Sequence, residues 1–235
     1  MALHPARAPS AYARPTAPAP GGELVEGAVT DMVPFRLLNN HVYVEARVNG
    51  KGPYTFVVDT GGHTLLSPRV VQEVGLVPVG KSESSGAGEK TKTSGYVRYR
   101  EIAIGKARLR DQVGLTLQIY DPSIEGIQVD GMIGFEYFSR FAVRLDYGAL
   151  TMTTTDFAHF DAKGAGTAVP FKFYDHLPQV SGAIDGVPAL FDIDSGSRSE
   201  IDVTGPFVAR HKLRDKYIKG VSAITGWGVG GPSRS

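Results

Sequence analysis

A duplication constrains this chain more than any other feature of its sequence. Shifting the chain by 135 residues lays Pro53, Phe56, Asp59 and Gly61 over Pro188, Phe191, Asp194 and Gly196, with Thr60 over its hydroxyl homologue Ser195. The turn signal Asn49-Gly50 falls, with one residue fewer in the turn, on Asp185-Gly186, and Pro68 through Leu76 parallels Pro206 through Leu213. Turn, proline, strand, Asp-hydroxyl-Gly and proline-led helix therefore recur in one order, the signature of an internal repeat. The repeat unit is a β-hairpin. HVYVEARV (His41–Val48) alternates polar and apolar residues, Asn49-Gly50 is a strong two-residue turn, and the next strand ends on Asp59.

If two such hairpins pack about a pseudo-two-fold axis, their strand ends meet and Asp59 faces Asp194. Two carboxylates so close cannot both ionise easily, so they share a proton and their apparent pKa values separate. A pair in that state can take a proton from water while giving one to a carbonyl oxygen, which is general acid–base hydrolysis of an amide without a metal or a covalent intermediate. Gly61 and Gly196 allow the backbones to approach closely, and Thr60 and Ser195 supply hydroxyls that can bind backbone groups across the junction. A single Asp-Thr-Gly reads as an ordinary turn. Two copies inside matching hairpins favour the paired site.

The segments FVVDTGG (Phe56–Gly62), FDIDSGS (Phe191–Ser197) and DGMIGFEYF (Asp130–Phe138) resemble those of the bacterial retropepsin-like aspartic proteases, relatives of pepsins and retroviral proteases. The resemblance covers roughly residues 33 to 231. It implies an all-β fold of two lobes with few short helices, Asp59 and Asp194 as catalytic aspartates, and Thr60, Gly61, Ser195 and Gly196 as the rest of the two catalytic loops. It also implies that the glycine-rich loop around Gly86, Ala87 and Gly88 is a flap closing over an extended peptide, bound as an added strand. The glycine-rich GWGVGG (Gly226–Gly231) is its counterpart in the second copy, where Trp227 either contacts substrate or packs on the lobe. By this reading the chain is an aspartic endopeptidase. The alternative is a non-catalytic peptide-binding or dimerisation module on the same fold.

The layout predicted is an Ala/Pro-rich disordered tail over residues 1–32, a first lobe over 33–155, a linker over 156–167 and a partial second lobe over 168–235. Val79–Gly95 reads as a loop or hairpin tip, Val113–Tyr120 as strand, and Pro68 onward as a short helix capped by Ser67 and closed by Gly75. The second copy stops soon after its glycine-rich loop and has no counterpart of Met132-Ile133-Gly134. The first lobe could instead homodimerise, pairing Asp59 with its own copy. Asp192, where the first copy has Val57, is expected on the same side of the strand as Asp194, a third carboxylate that would raise neighbouring pKa values or need a partner of its own.

Composition narrows the alternatives. The absence of cysteine excludes a thiolate nucleophile, disulfides, iron–sulfur clusters and thiolate zinc sites. A net charge of +1 gives no field that would recruit nucleic acid, and the charged run Arg98, Arg100, Lys106, Arg108 and Arg110 reads as a solvated sheet face. No cofactor or metal is expected. Asp192-Ile193-Asp194 superficially matches the Asp-x-Asp loop of haloacid-dehalogenase-type phosphatases, but no alternating βα pattern surrounds it. As a calcium loop it fails at Ser197 and Val203. His63 follows the first Asp motif closely enough to tune it but reads more readily as an exposed turn residue, and the other histidines lack ligand spacing. No window approaches the roughly 18 apolar residues of a membrane span, and the first 22 residues lack the apolar section of a secretory signal. A periplasmic or secreted location is implied only by the resemblance.

Overall fold

The computed structural model describes residues 21–86, 90–217, 220 and 224–234. Strands dominate it. In the first half these are β1 (Gly21–Leu24), β2 (Thr30–Pro34), β3 (Arg36–Leu38), β4 (His41–Val48), β5 (Lys51–Val58) and β6 (Leu65–Leu66), then helix α1 (Pro68–Val74), β7 (Val79–Ser84), β8 (Lys92–Ile104) and β9 (Ala107–Thr116). Helix α2 (Pro122–Glu125), β10 (Gly131–Ile133), α3 (Phe135–Phe138), β11 (Phe141–Asp146) and β12 (Thr151–Asp156) complete the first lobe. The second half holds β13 (Lys172–Tyr174), β14 (Leu177–Ile184), β15 (Val187–Asp192), α4 (Gly205–Arg210), α5 (Leu213–Lys216), β16 (Ile224–Gly228) and β17 (Gly231–Arg234). This is the all-β architecture with few short helices that the sequence implies.

A nine-stranded sheet organises the first lobe, running β1-β9-β6-β10-β5-β4-β8-β7 with β3 beside β4. The β4–β5 turn places Asn49 at φ 50° and Gly50 at φ 83°, the paired left-handed residues that fit the twist of a two-residue hairpin. Successive side chains of a strand face opposite sides of its sheet, and here both sides are covered. Val42, Val44, Phe56 and Val58 enter the larger core, while Tyr43 and Val57 join Leu65, Tyr120, Val129 and Met132 in a smaller one. Strand β10 threads between β5, to which it is parallel, and β6, to which it is antiparallel. Gly131 permits this, because a Cβ there would lie 2.6 Å from the Leu65 carbonyl oxygen and overlap the Phe56 ring. Ser67 caps α1, its hydroxyl accepting from the Val70 N–H at 3.3 Å, and Gly75 closes the helix at φ 82°.

Two boundaries move. The lobe starts before residue 33, since β1 pairs with β9 and β2 with β12; Glu23 forms an ion pair with Arg110 and helps fix that edge. The segment predicted as disordered is therefore in part sheet, and its residues 1–20 lie outside the described residues. Strand β9 ends at Thr116 rather than running to Tyr120, because Leu117 bonds to Leu66 and Tyr120 turns into the smaller core.

The second half repeats the hairpin. Strands β13-β14-β15 form an antiparallel sheet, and Asp185 and Gly186 take φ 46° and 79°, reproducing the first turn. Burial differs sharply. Among the described residues after Asp156, Leu213 is the single buried hydrophobic side chain, while Phe171, Phe173, Leu190 and Ile201 are exposed. No strand among the described residues runs beside β15 as β10 runs beside β5.

Candidate active site

Each hairpin delivers its aspartate at the end of its second strand. Asp59 follows β5 and is anchored to the threaded strand by its N–H, which donates to the Ile133 carbonyl at 2.9 Å. Asp194 lies two residues beyond β15, after Ile193 has donated to the Pro178 carbonyl at 2.9 Å. The two loops then clasp one another. The Thr60 hydroxyl donates to the Ile193 carbonyl at 2.7 Å and accepts the Ser195 N–H at 3.0 Å; the Ser195 hydroxyl donates to the Val58 carbonyl at 2.9 Å and accepts the Thr60 N–H at 3.1 Å. Four reciprocal bonds, all through the hydroxyl of the tripeptide, join the two halves of the molecule.

The glycines bring the carboxyls together. A methyl group on Gly61 would lie 2.5 Å from Asp194 Cγ, and one on Gly196 would overlap the Asp59 carboxyl. Each aspartate thus packs on the backbone of the opposite loop, at a place only glycine leaves open. Each also accepts the N–H of its own glycine, Gly61 to Asp59 Oδ1 at 2.7 Å and Gly196 to Asp194 Oδ1 at 2.8 Å. Asp59 is half-buried, whereas Asp194 keeps an exposed side. Burial, the charge of Asp194 and a hydrogen bond with Asp194 push the Asp59 carboxyl up to about 8, against the opposing pull of the Gly61 and Gly62 N–H groups. The arrangement therefore favours a pair holding one proton.

The first loop rests on its own lobe. Gly134 packs so closely that a Cβ would lie 2.6 Å from the His63 carbonyl carbon, and the Phe135 N–H donates to the Gly62 carbonyl at 2.8 Å. Glu136 accepts from His63 Nδ1 at 2.8 Å and from the Thr64 N–H at 2.7 Å. Burial opposes its ionisation, but the His63 bond and charge and the Thr64 N–H outweigh it and hold Glu136 below the usual carboxylate range. His63 is thus half-buried with Glu136 on its Nδ1, rather than the exposed turn residue favoured from sequence.

The second loop rests on the first lobe instead. Asn40 donates to the Arg198 carbonyl at 2.8 Å, and the Arg198 guanidinium pairs with Glu125, whose side chain is 1% exposed. Glu125 also accepts from the Tyr43 hydroxyl at 3.1 Å. Burial works against the charge of Glu125, but the His41 hydrogen bond and Arg198 lower its carboxyl overall. These contacts tie the second loop to the first lobe, and Glu125 and Arg198 carry no local sequence signal beyond their charge. Tyr120 is likewise unheralded. Buried at the edge of the pair, its hydroxyl is pushed well up by burial and then by the charge of Asp59.

Asp192 does not join the pair. Its exposed carboxylate accepts instead from the Gln179 side chain at 2.8 Å, in register across the hairpin. The proposed flap is the β7–β8 hairpin, and its tip meets the β16–β17 hairpin. A Cβ on Gly86 would lie 3.2 Å from Val229 Cβ, and Gly230 packs on the Lys90 backbone. Ala87 and Gly88 fall outside the described residues. Trp227, in β16 opposite Pro232, is 37% exposed. Among the described residues no three histidine or carboxylate side chains gather as a metal site, and no helix is long and apolar enough to cross a membrane.

The family described as aspartyl protease matches residues 44–137, from β4 through the Asp59 loop and the first hairpin tip to α3. The match ends before the second aspartate. No curated protein matches the chain.

Proposed function

We propose that this chain, whose residues 44–137 match the aspartyl protease family, is an aspartic endopeptidase in which Asp59 and Asp194 activate water between them. The observation that carries the reading is the mutual packing of each carboxyl on the other loop's glycine, under the four Thr60 and Ser195 hydrogen bonds. With one proton on the pair, the ionised carboxylate removes a proton from water as the water oxygen bonds to the peptide carbonyl carbon. The protonated partner gives its proton to the carbonyl oxygen, forming a neutral tetrahedral diol. The protonated carboxyl then gives its proton to the amide nitrogen while the other carboxylate takes one from a diol hydroxyl; the C–N bond breaks, a carboxylic acid and an amine leave, and the pair again holds one proton. Thr60, Ser195 and the glycine N–H groups hold the acid and base in place, so no reorganisation is needed during the reaction.

The substrate this reading takes is a peptide in extended form, bound chiefly by main-chain pairing. The test is hydrolysis of a mixed peptide library between pH 3 and 9 by the wild-type chain, Asp59→Asn and Asp194→Asn. Cleavage by wild type and loss in both variants supports the reading. Cleavage that survives either substitution, or peptide binding without turnover in wild type, sinks it, the latter in favour of a binding module.

A further inference from the structure

The 135-residue repeat extends to two histidines outside the tripeptides. His41 opens the first hairpin and His176 occupies the same place before the second. In the folded chain each reaches across to the other lobe. His41 Nε2 lies 2.9 Å from the carbonyl oxygen of Gly196, and His176 Nε2 lies 3.0 Å from the carbonyl oxygen of Gly61. Both acceptors belong to the glycine of the opposite Asp-hydroxyl-Gly loop. A carbonyl oxygen only accepts, so both rings must carry hydrogen on Nε2.

The surroundings hold these rings in place. His41 is 2% exposed, its Nδ1 3.1 Å from the Tyr43 hydroxyl and 3.5 Å from Glu125, with the Tyr120 ring edge-on and Arg198 beyond Glu125. His176 has Asp175 3.2 Å from Nδ1 and lies against the His63 ring at 4.3 Å between centroids, with Glu136 behind His63. The acceptor at Gly61 matters for the chemistry. Its carbonyl and the Gly62 N–H form one peptide unit, and that N–H acts on the Asp59 carboxyl. A bond fixing the carbonyl therefore aims the N–H on the other side of the same plane.

We propose that His41 and His176 are positioning residues, a reciprocal pair of latches through which each lobe fixes the other lobe's aspartate loop. This rests on the reading that Asp59 and Asp194 work as one pair. The latches differ from the Thr60 and Ser195 bonds in where they act. The hydroxyls tie the middle of each tripeptide to the opposing strand end, whereas the histidines set the peptide after each aspartate's glycine. They also give the second loop, which lacks a supporting strand among the described residues, a rigid partner in β4.

The test pairs kinetics with spectroscopy. His41→Leu and His176→Leu, which remove the donor, should each lower kcat by ~10–100-fold with KM nearly unchanged, as expected for small misplacement of catalytic groups. His41→Gln and His176→Gln place an amide N–H near the lost Nε2 and should recover most of that loss. For His176 the Leu variant should also shift the alkaline limb of the pH–rate profile upward, because an N–H that favours the ionised Asp59 is released. Independently of turnover, 15N NMR of wild-type histidines should show hydrogen on Nε2 of both His41 and His176 at neutral pH. Unchanged kcat in the Leu variants, folded Gln variants no better than Leu, or a bare Nε2 on either ring would overturn the proposal. If the wild type cleaves nothing, proteolysis fails as a reading and the NMR result alone decides whether the latches exist.

Discussion

Replacing Asp59 by Asn should stabilise the protein, and by an amount that depends on pH. The Asp59 carboxyl is raised from an ordinary 3.8 to about 8 by burial and by Asp194. A group raised in the folded state contributes fully while it is protonated in both states, below about pH 4, and that contribution is lost as pH rises through its folded value. At ~1.4 kcal/mol for each tenfold change, full enclosure would give a penalty of ~6 kcal/mol above pH 8. Asp59 is only half-buried and Asp194 keeps an exposed side, so solvent screening reduces this to ~2–3 kcal/mol. For a chain of this size that corresponds to ~5–10 °C in Tm. Thermal unfolding followed by circular dichroism at pH 3.5 and pH 8.5 reads it directly. Asp59→Asn should match wild type at pH 3.5 and exceed it at pH 8.5. Asp192→Asn, on an exposed carboxylate bonded to Gln179, should stay within ~0.5 kcal/mol at both. An Asp59→Asn effect that is equal at the two pH values, or destabilising at pH 8.5, would refute the account of a strained pair.

Two further outcomes follow from the same geometry. Thr60→Val and Ser195→Ala each remove two of the four junction bonds and should each cost ~0.5–1.5 kcal/mol in urea unfolding; because all four bonds close one junction, the double variant should depart from the sum by ~0.5 kcal/mol or more. The pH–rate profile should lose activity on the alkaline side as the shared proton leaves, near the value of about 8 to which Asp59 is raised, and Asp192→Asn should leave that limb in place.

Much of this was legible in the residues, and the remainder was not for identifiable reasons. The Asn49-Gly50 and Asp185-Gly186 turns, the Ser67 cap and the Gly75 stop are local, so sequence exposes them. The meeting of Asp59 with Asp194 is not local, but duplication made it readable, since two copies of one hairpin imply a two-fold junction. Asp192 has the partner of its own that the sequence reading allowed, but that this partner is Gln179 was not legible, because it comes from across the hairpin. His63, Glu125 and Arg198 were missed because their partners come from distant segments and carry no spacing rule. His41 and His176 did carry a signal, the same 135-residue offset as Thr60 and Ser195, and extending the repeat beyond the tripeptides would have found them. The early start of the first lobe was hidden by the Ala/Pro-rich composition that precedes Gly21.

The central claim is that Asp59 and Asp194 of a single chain form one catalytic pair, and a mixing experiment tests it most directly. Hydrolysis of a peptide cleaved by wild type is measured for Asp59→Asn, for Asp194→Asn, and for the two variants unfolded and refolded together. Both variants and their mixture should fall below ~1% of wild-type kcat, since loss of either acid–base partner is expected to cost at least two orders of magnitude. Activity retained by either variant, or restored in the mixture because aspartates from different chains can pair, would contradict it.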